Sequence, residues 1–155
     1  MKKGQITLII FFEINGFRNR YWAFSQMVLA YFKLKNVIGL KFFKSLGTGG
    51  GNGFDLKPSF SNYCWLMVWE SEQDAREFLH RSSYFNHYRE RCISGQVFFL
   101  ENILSHGQWS NSNPFEKAHD YIEGSRVLVL TRARIKFSKL LQFWLKVGKT
   151  VKKLY

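Results

Sequence analysis

The sequence predicts an α+β protein. Its plan is a ferredoxin-like β-α-β-β-α-β unit, of the kind that makes a dimeric α+β barrel, followed by the first strand and helix of a second, incomplete repeat. Three observations predict this. Strand-like apolar runs and helical periodicities alternate in that order; two of the runs are apolar on both faces; and the segment after residue 125 repeats the pattern with which the chain opens. A strand that is apolar on both sides needs cover on both sides, here helices on one and a cavity or second unit on the other.

Ile6 to Ile14 is the first such strand, with Ile6, Leu8, Ile10 and Phe12 on one side and Ile9 and Phe11 on the other. Phe17, Tyr21, Phe24, Val28 and Tyr31 then recur at spacings of four and three, the signature of an amphipathic helix, and the stripe is expected to pack on that strand. A second strand is expected from about Ile38 to Lys44, and the glycine-rich stretch Gly47 to Phe54, closed by Pro58, reads as a loop. Tyr63 to Trp69 is a third, doubly apolar strand. Ser71 opens a helix with Asp74 in the capping-box position and Ala75, Phe78 and Leu79 inside. A second helical piece spans Ser82 to Arg91, and Gln96 to Leu104 is a fourth strand. Gly107 to Gly124 is a long polar connection, so residues 1–124 form the first unit and 125–155 begin the second, with a strand at Arg126 to Ile135 and a helix carrying Phe137, Leu141 and Trp144. Such a chain looks shortened, and its uncovered sheet predicts homodimerisation or a poorly folded tail.

Composition narrows the class further. Aromatics make up 18% of the 155 residues, which excludes disorder as the overall state. The longest apolar stretch, Ile6 to Phe12, falls short of the roughly 18 to 20 residues a membrane-spanning helix needs, and with Glu13 behind it reads as a strand rather than a signal peptide. Cys64 and Cys92 have no CxxC spacing and make no disulfide framework, so a cytoplasmic, reducing location is expected. The formal charge is +12, and Gly124 to Tyr155 holds nine basic residues and no acidic one. Such a surface attracts nucleic acid, anionic lipid or an acidic protein.

Few residues nominate chemistry by spacing alone. The glycine loop fits neither GxGxxG nor a P-loop, and it leads into a strand, so a dinucleotide site is not indicated. His80, His87, His106 and His119 show no metal-ligand spacing. His87, among aromatics in YFNHYRER, is the first candidate for an axial haem ligand and His106 the second; a packing role is the plainer alternative. Arg132, Arg134 and Lys136 alternate along one strand and so share a face, where they would bind carboxylates in a cavity or form a solvated row on an open edge. No Ser-His-Asp set, Cys-His set or carboxylate pair supports a hydrolase.

Several motifs taken together resemble the spheroidene monooxygenase family, the acyclic carotenoid ketolases. They are RNRYWAFSQM (Arg18 to Met27), KFFKSLGTGGGNGFDLKP (Lys41 to Pro58), LMVWESEQDAR (Leu66 to Arg76), HGQWSNSNPFE (His106 to Glu116) and LTRARIKFSKLLQFW (Leu130 to Trp144), in order over nearly the whole chain. The resemblance implies oxygenation of an acyclic carotenoid with dioxygen and a reduced ferredoxin donor, haem as cofactor, and an α+β barrel. It places Gly49, Gly51, Gly53, Phe54, Trp109, Asn113, Pro114, Phe115, Thr131, Arg132 and Trp144 in pocket shape or ligand contact; Arg134 joins them from the cationic face. The basic surface would suit an acidic ferredoxin and peripheral contact with a membrane. No histidine motif of that family falls on the four histidines, and its members continue past Trp144.

Two other readings compete. A basic ferredoxin-like module could bind RNA or a protein without catalysis, although the strands lack the RNP pattern. An inactive fragment of the oxygenase is the other.

Overall fold

Strand β1 (Ile6–Ile14) is buried at every position except Phe11 and Glu13, because it lies inside a sheet with neighbours on both edges. The computed structural model describes residues 4–49, 58–109 and 111–131. After β1 the chain runs through α1 (Phe17–Leu34), β2 (Leu40–Gly49), β3 (Pro58–Trp69), α2 (Glu72–Arg81), α3 (Ser83–Arg89) and β4 (Cys92–Leu100). The four strands are ordered β2-β3-β1-β4. β1 pairs antiparallel with β3, from Ile6 opposite Trp69 to Glu13 opposite Asn62, and with β4, from Thr7 opposite Leu100 to Glu13 opposite Ser94. A register shift follows at Glu13/Ile14. The β1-α1-β2 connection therefore steps over β3, and the ferredoxin-like plan expected from the sequence is the plan observed.

One face of the sheet is covered by the helices. Leu8, Ile10, Phe12, Tyr63, Trp65, Met67 and Trp69 project into a core completed by Ala23, Ala30, Leu34, Ala75, Phe78, Phe85 and Tyr88. Volume is distributed unequally: the strands supply two tryptophans and α1 answers with alanines, small enough to let the helix backbone approach the sheet. Trp65 meets Tyr88 edge-on at 4.4 Å and Phe12 at 4.8 Å, and Trp69 lies 5.0 Å from Phe78. Gln26, the buried polar residue of α1, accepts a hydrogen bond from the Tyr84 hydroxyl at 3.0 Å.

The helix starts follow local chemistry. Ser71 caps α2 by accepting from the Asp74 amide, as the sequence predicts, and the Asp74 carboxylate is met by the Ser71 hydroxyl at 2.6 Å. Ser82 ends α2 by donating its amide to Phe78 and begins α3 by accepting from the Phe85 amide. Gly39 sits against Asp74 with φ of +78°; a Cβ there would lie 2.6 Å from the Asp74 Cγ, so only glycine fits.

Several expectations are corrected. The stripe Phe17, Tyr21, Phe24, Val28 and Tyr31 does not pack on β1; all five are exposed, and the buried face of α1 is Ala23, Gln26, Ala30 and Leu34. Periodicity locates a stripe without saying which side meets the sheet, and a face already filled by tryptophans admits only small partners. β2 runs to Gly49, so the first glycines of the expected loop are strand residues. β3 begins at Pro58, five residues before the expected start. β4 is Cys92–Leu100 rather than Gln96–Leu104, because its pairing with β1 ends at Thr7–Leu100. The strand expected at Arg126–Ile135 is absent over 126–131; its remainder and the helix after it fall outside the described residues.

The chain divides into two compact units, one of Met1–Thr48 with Phe60–Tyr121, the other of Gly49–Ser59 with Ile122–Tyr155. The first holds the sheet and helices just described. In the second, the Ser125 amide donates to the Ile122 carbonyl at 3.1 Å across a turn with Gly124 at φ +81°. Val127, Leu128, Val129 and Leu130 follow, exposed and without regular structure.

Candidate functional site

Among the described residues, no helix lies over the second face of the sheet. Cross-strand partners point to the same side, so the register puts Thr7, Ile9 and Phe11 of β1, Cys64, Leu66 and Val68 of β3, and Gln96, Phe98 and Leu100 of β4 on this face together. Ile9, Cys64 and Leu66 form a small buried cluster with Phe42, Leu46, Leu100, Trp109 and Phe115 around it. Phe11 and Phe98, 6.1 Å apart and edge-on, remain 39% and 38% exposed, so the apolar surface continues into solvent.

The long connection after β4 supplies the partial cover. Trp109 and Phe115 come down on Phe42 of β2 at ring separations of 5.9 and 6.4 Å, and lie 6.1 Å from each other. Local hydrogen bonds hold this triangle. Trp109 and Ser112 exchange backbone bonds around Asn111, which takes φ of +70°, a conformation its short polar side chain tolerates. The Asn113 amide nitrogen donates to Ser105 Oγ at 2.9 Å, and its carbonyl oxygen accepts from the Phe115 amide at 3.2 Å, an Asx turn that aims the ring. Farther along, the Glu116 amide donates to Gln5 Oε1, the Ala118 amide donates to the Asn102 carbonyl, and His119 pairs with Glu101 at 2.9 Å.

Beside the triangle, at the β2 edge, a cleft of about 340 Å³ is lined by Tyr31 and Lys35 of α1, Leu40 to Lys44 of β2, and Trp109 and Ser112. Three ammonium groups and several rings thus share one hollow. Lys44 Nζ lies 5.7 Å from the Phe42 ring centre. Lys41 is bound to Glu70 at 2.8 Å, and that hydrogen bond with the carboxylate holds its pKa above the ordinary lysine value.

Proton-transfer chemistry finds little here. Burial pushes the Cys64 thiol up to about 11, so it stays protonated and inert at neutral pH. Burial pushes Tyr84 up to about 12 and raises Tyr88 as well, but both belong to the helix-side core. What the arrangement offers is apolar contact area, with cations at one end.

Of the residues predicted for the site, the structure brings Trp109, Asn113 and Phe115 together, and Gly49 ends β2. Gly51, Gly53, Phe54, Arg132 and Arg134 fall outside the described residues, as does Trp144. The histidines do not join. His87 is exposed on α3 with Nδ1 2.9 Å from the Ser83 carbonyl, and His106 is exposed in the connection; neither lines the cleft. With both imidazoles exposed, the described residues give no support for haem at either histidine. Among the described residues, no group of three or more His, Cys, Asp and Glu is placed to hold a metal ion. Phe11, Phe42, Phe98 and the three lysines were not singled out from sequence. The signal was present for Phe11, which alternates onto the outer face of a strand apolar on both sides.

No family model matches the chain. Curated relatives do. A protein named spheroidene monooxygenase from Cereibacter sphaeroides is 30% identical over 139 residues, covering 90% of this chain and 43% of its own. That of Rhodobacter capsulatus is 29% identical over 151 residues, covering 96% and 63%, and that of Rubrivivax gelatinosus 27% over 145 residues, covering 94% and 56%. The chain thus spans about half the length of the curated relatives it matches. Among solved structures, SnoaB from Streptomyces nogalater, a cofactor-independent oxygenase, matches with a TM-score of 0.47 at 14% identity, covering 67% of this chain and 98% of its own. A putative antibiotic biosynthesis monooxygenase from Bordetella bronchiseptica gives 0.48 at 15%, covering 65% and 99%. Likenesses at that level carry nothing about function, and the fold stands on the observed strand order.

Proposed function

We infer that this chain, a partial homologue of the spheroidene monooxygenases, provides the ferredoxin-like unit of a monooxygenase that binds an acyclic carotenoid along the open face of its sheet. The single observation that carries the reading beyond homology is the aromatic surface itself. Phe11 and Phe98 stay half-exposed beside a held triangle of Phe42, Trp109 and Phe115, the kind of flat apolar floor a polyene needs. In the reaction, one atom of dioxygen enters the carotenoid end as a hydroxyl or keto oxygen. The other leaves as water, with two electrons supplied by a reduced ferredoxin-type donor. The chain's own contribution is to bind the polyene, exclude water from it and fix which end is presented. A second copy laid over the same face would complete a barrel and bury Phe11 and Phe98. Gly49, Gly51, Gly53, Phe54, Arg132 and Arg134 are proposed to complete the pocket.

The RNA-binding alternative is disfavoured by β3. Single-strand readers stack bases on rings of the central strands, whereas β3 turns Cys64, Leu66 and Val68 to this face. No helix among the described residues is long and apolar enough to cross a membrane.

The test is turnover of a lycopene-type carotenoid by the purified chain with reduced ferredoxin under labelled dioxygen. One labelled oxygen in the product, lost in Trp109→Ala, supports the reading. No pigment binding and no labelled product from folded protein overturns it for this chain. An absorption spectrum before and after dithionite, taken on the same sample, reports whether a redox chromophore accompanies the activity.

A further inference from the structure

The outer face of α1 is unusual for a helix lying on a sheet. Eighteen residues span about 27 Å. The side away from the core carries Phe17, Tyr21, Phe24, Val28, Tyr31 and Phe32, exposed by 85, 71, 53, 68, 55 and 60% respectively. These positions recur every three or four residues, so they form one continuous apolar ridge rather than scattered surface rings. Phe24 has Phe60 of β3 beside it at 5.8 Å, itself half-exposed, which widens the ridge. The charge along the helix itself has one sign. From Ile14 to Phe54 the sequence holds six basic residues and no acidic one. Arg18 is exposed in the first turn and Lys35 at the C-terminal cap, where its ammonium lies 5.9 Å from the Phe32 ring.

We propose that this ridge lies flat on an anionic lipid bilayer, its rings sunk among the headgroups and Arg18 and Lys35 paired with lipid phosphates at its two ends. Charge selects the occupant. A second copy packed ridge to ridge would bring Arg18 and Lys35 of one α1 against the cations of the other, with no carboxylate on either helix to answer them, in either orientation. A bilayer offers apolar depth and negative charge together, and rings of Phe and Tyr on a helix with basic flanks are the composition of interfacial helices. Docking of this kind does not depend on the oxygenase reading, and the two fail separately.

The test is sedimentation of the purified chain with vesicles of phosphatidylcholine alone, or of phosphatidylcholine mixed with phosphatidylglycerol. Binding at least tenfold stronger to the anionic vesicles, weakened by salt, is expected. Y21S/F24S/V28S should abolish it with an unchanged thermal midpoint, since all three side chains are exposed. Arg18→Gln with Lys35→Gln should remove the preference for anionic lipid. Should the triple variant misfold, Val28→Glu places one charge at mid-ridge and should lower binding at least tenfold by itself. The proposal is overturned if the wild-type chain stays in the supernatant, if folded Y21S/F24S/V28S or Val28→Glu still binds as the wild type does, or if sedimentation velocity shows a dimer that the triple variant dissolves while vesicles recruit neither.

Discussion

The two faces of the sheet are made of the same kinds of residue and have opposite fates. On the helix side Trp65, Trp69, Leu8, Ile10 and Ile14 are lost to solvent entirely or nearly so, while on the other side Phe11 and Phe98 keep more than a third of their surface in water. The strands do not cause this difference, since β1 is apolar on both sides along most of its length. What differs is the cover. Two alanines of α1 and one of α2 let whole helices settle on one face, whereas among the described residues the other receives one loop that places two rings, Trp109 and Phe115. Among the described residues one face is fully covered and the other partly open, and under the proposed function the first serves stability and the second recognition.

That contrast can be broken by mutation. The largest effect is expected from Trp65→Ala, which empties the centre of the helix-side core and should lower unfolding free energy by about 3–5 kcal/mol in a denaturant titration. If the open face is only a thin second layer, Leu66→Ala, buried but on that side, should cost less, about 2–3 kcal/mol in the same titration. Equal losses would mean that the two faces share the structural load.

Cys64 sharpens the comparison through pH. Its thiol rises from 9.0 to about 11 on burial, and the unfolded chain therefore loses that proton first. Between those values the native state holds more protons than the unfolded state, so the stability associated with Cys64 is complete below pH 9 and declines as pH rises toward 11. Cys64→Ala should flatten that alkaline decline in thermal melts, and in the wild type alkylation of Cys64 at pH 8 should be slower than that of a free thiol. The smallest change in stability is expected for Phe11→Ala, about 1 kcal/mol or less from the lost ring pair, although the same substitution should markedly weaken carotenoid binding measured by pigment absorbance.

Much of this was legible in the sequence. β1, the far half of β3, the Ser71 cap and the order of elements follow from alternation and capping chemistry, which are local. The buried side of α1 was not legible. The helix has two candidate faces, one aromatic and one of alanine, glutamine and leucine, and only knowledge that Trp65 and Trp69 fill the opposing sheet chooses the smaller. The limits of β4 were set by its partner, since the pattern QVFFLENIL continues past the last residue that β1 can pair. For the site, Trp109, Asn113 and Phe115 were reached through family motifs, because nothing in a polar connection announces that its rings fold back on Phe42. Phe11 was legible as an outer-face residue, and its role emerged only once the cover was seen to be incomplete.

Gly39 and Glu70 offer a way to watch the sheet edge alone. The Glu70 amide donates to the Gly39 carbonyl at 2.8 Å, just where β2 is entered and β3 is left, and Asp74 of the α2 cap presses on the same glycine. Protection of that one amide from hydrogen exchange requires the β2 entrance to be seated on the end of β3, whatever the rest of the molecule is doing. Its exchange rate relative to amides of the β1–β3 ladder would therefore time the opening of the edge that borders the lysine-lined cleft, as a local event separable from global unfolding.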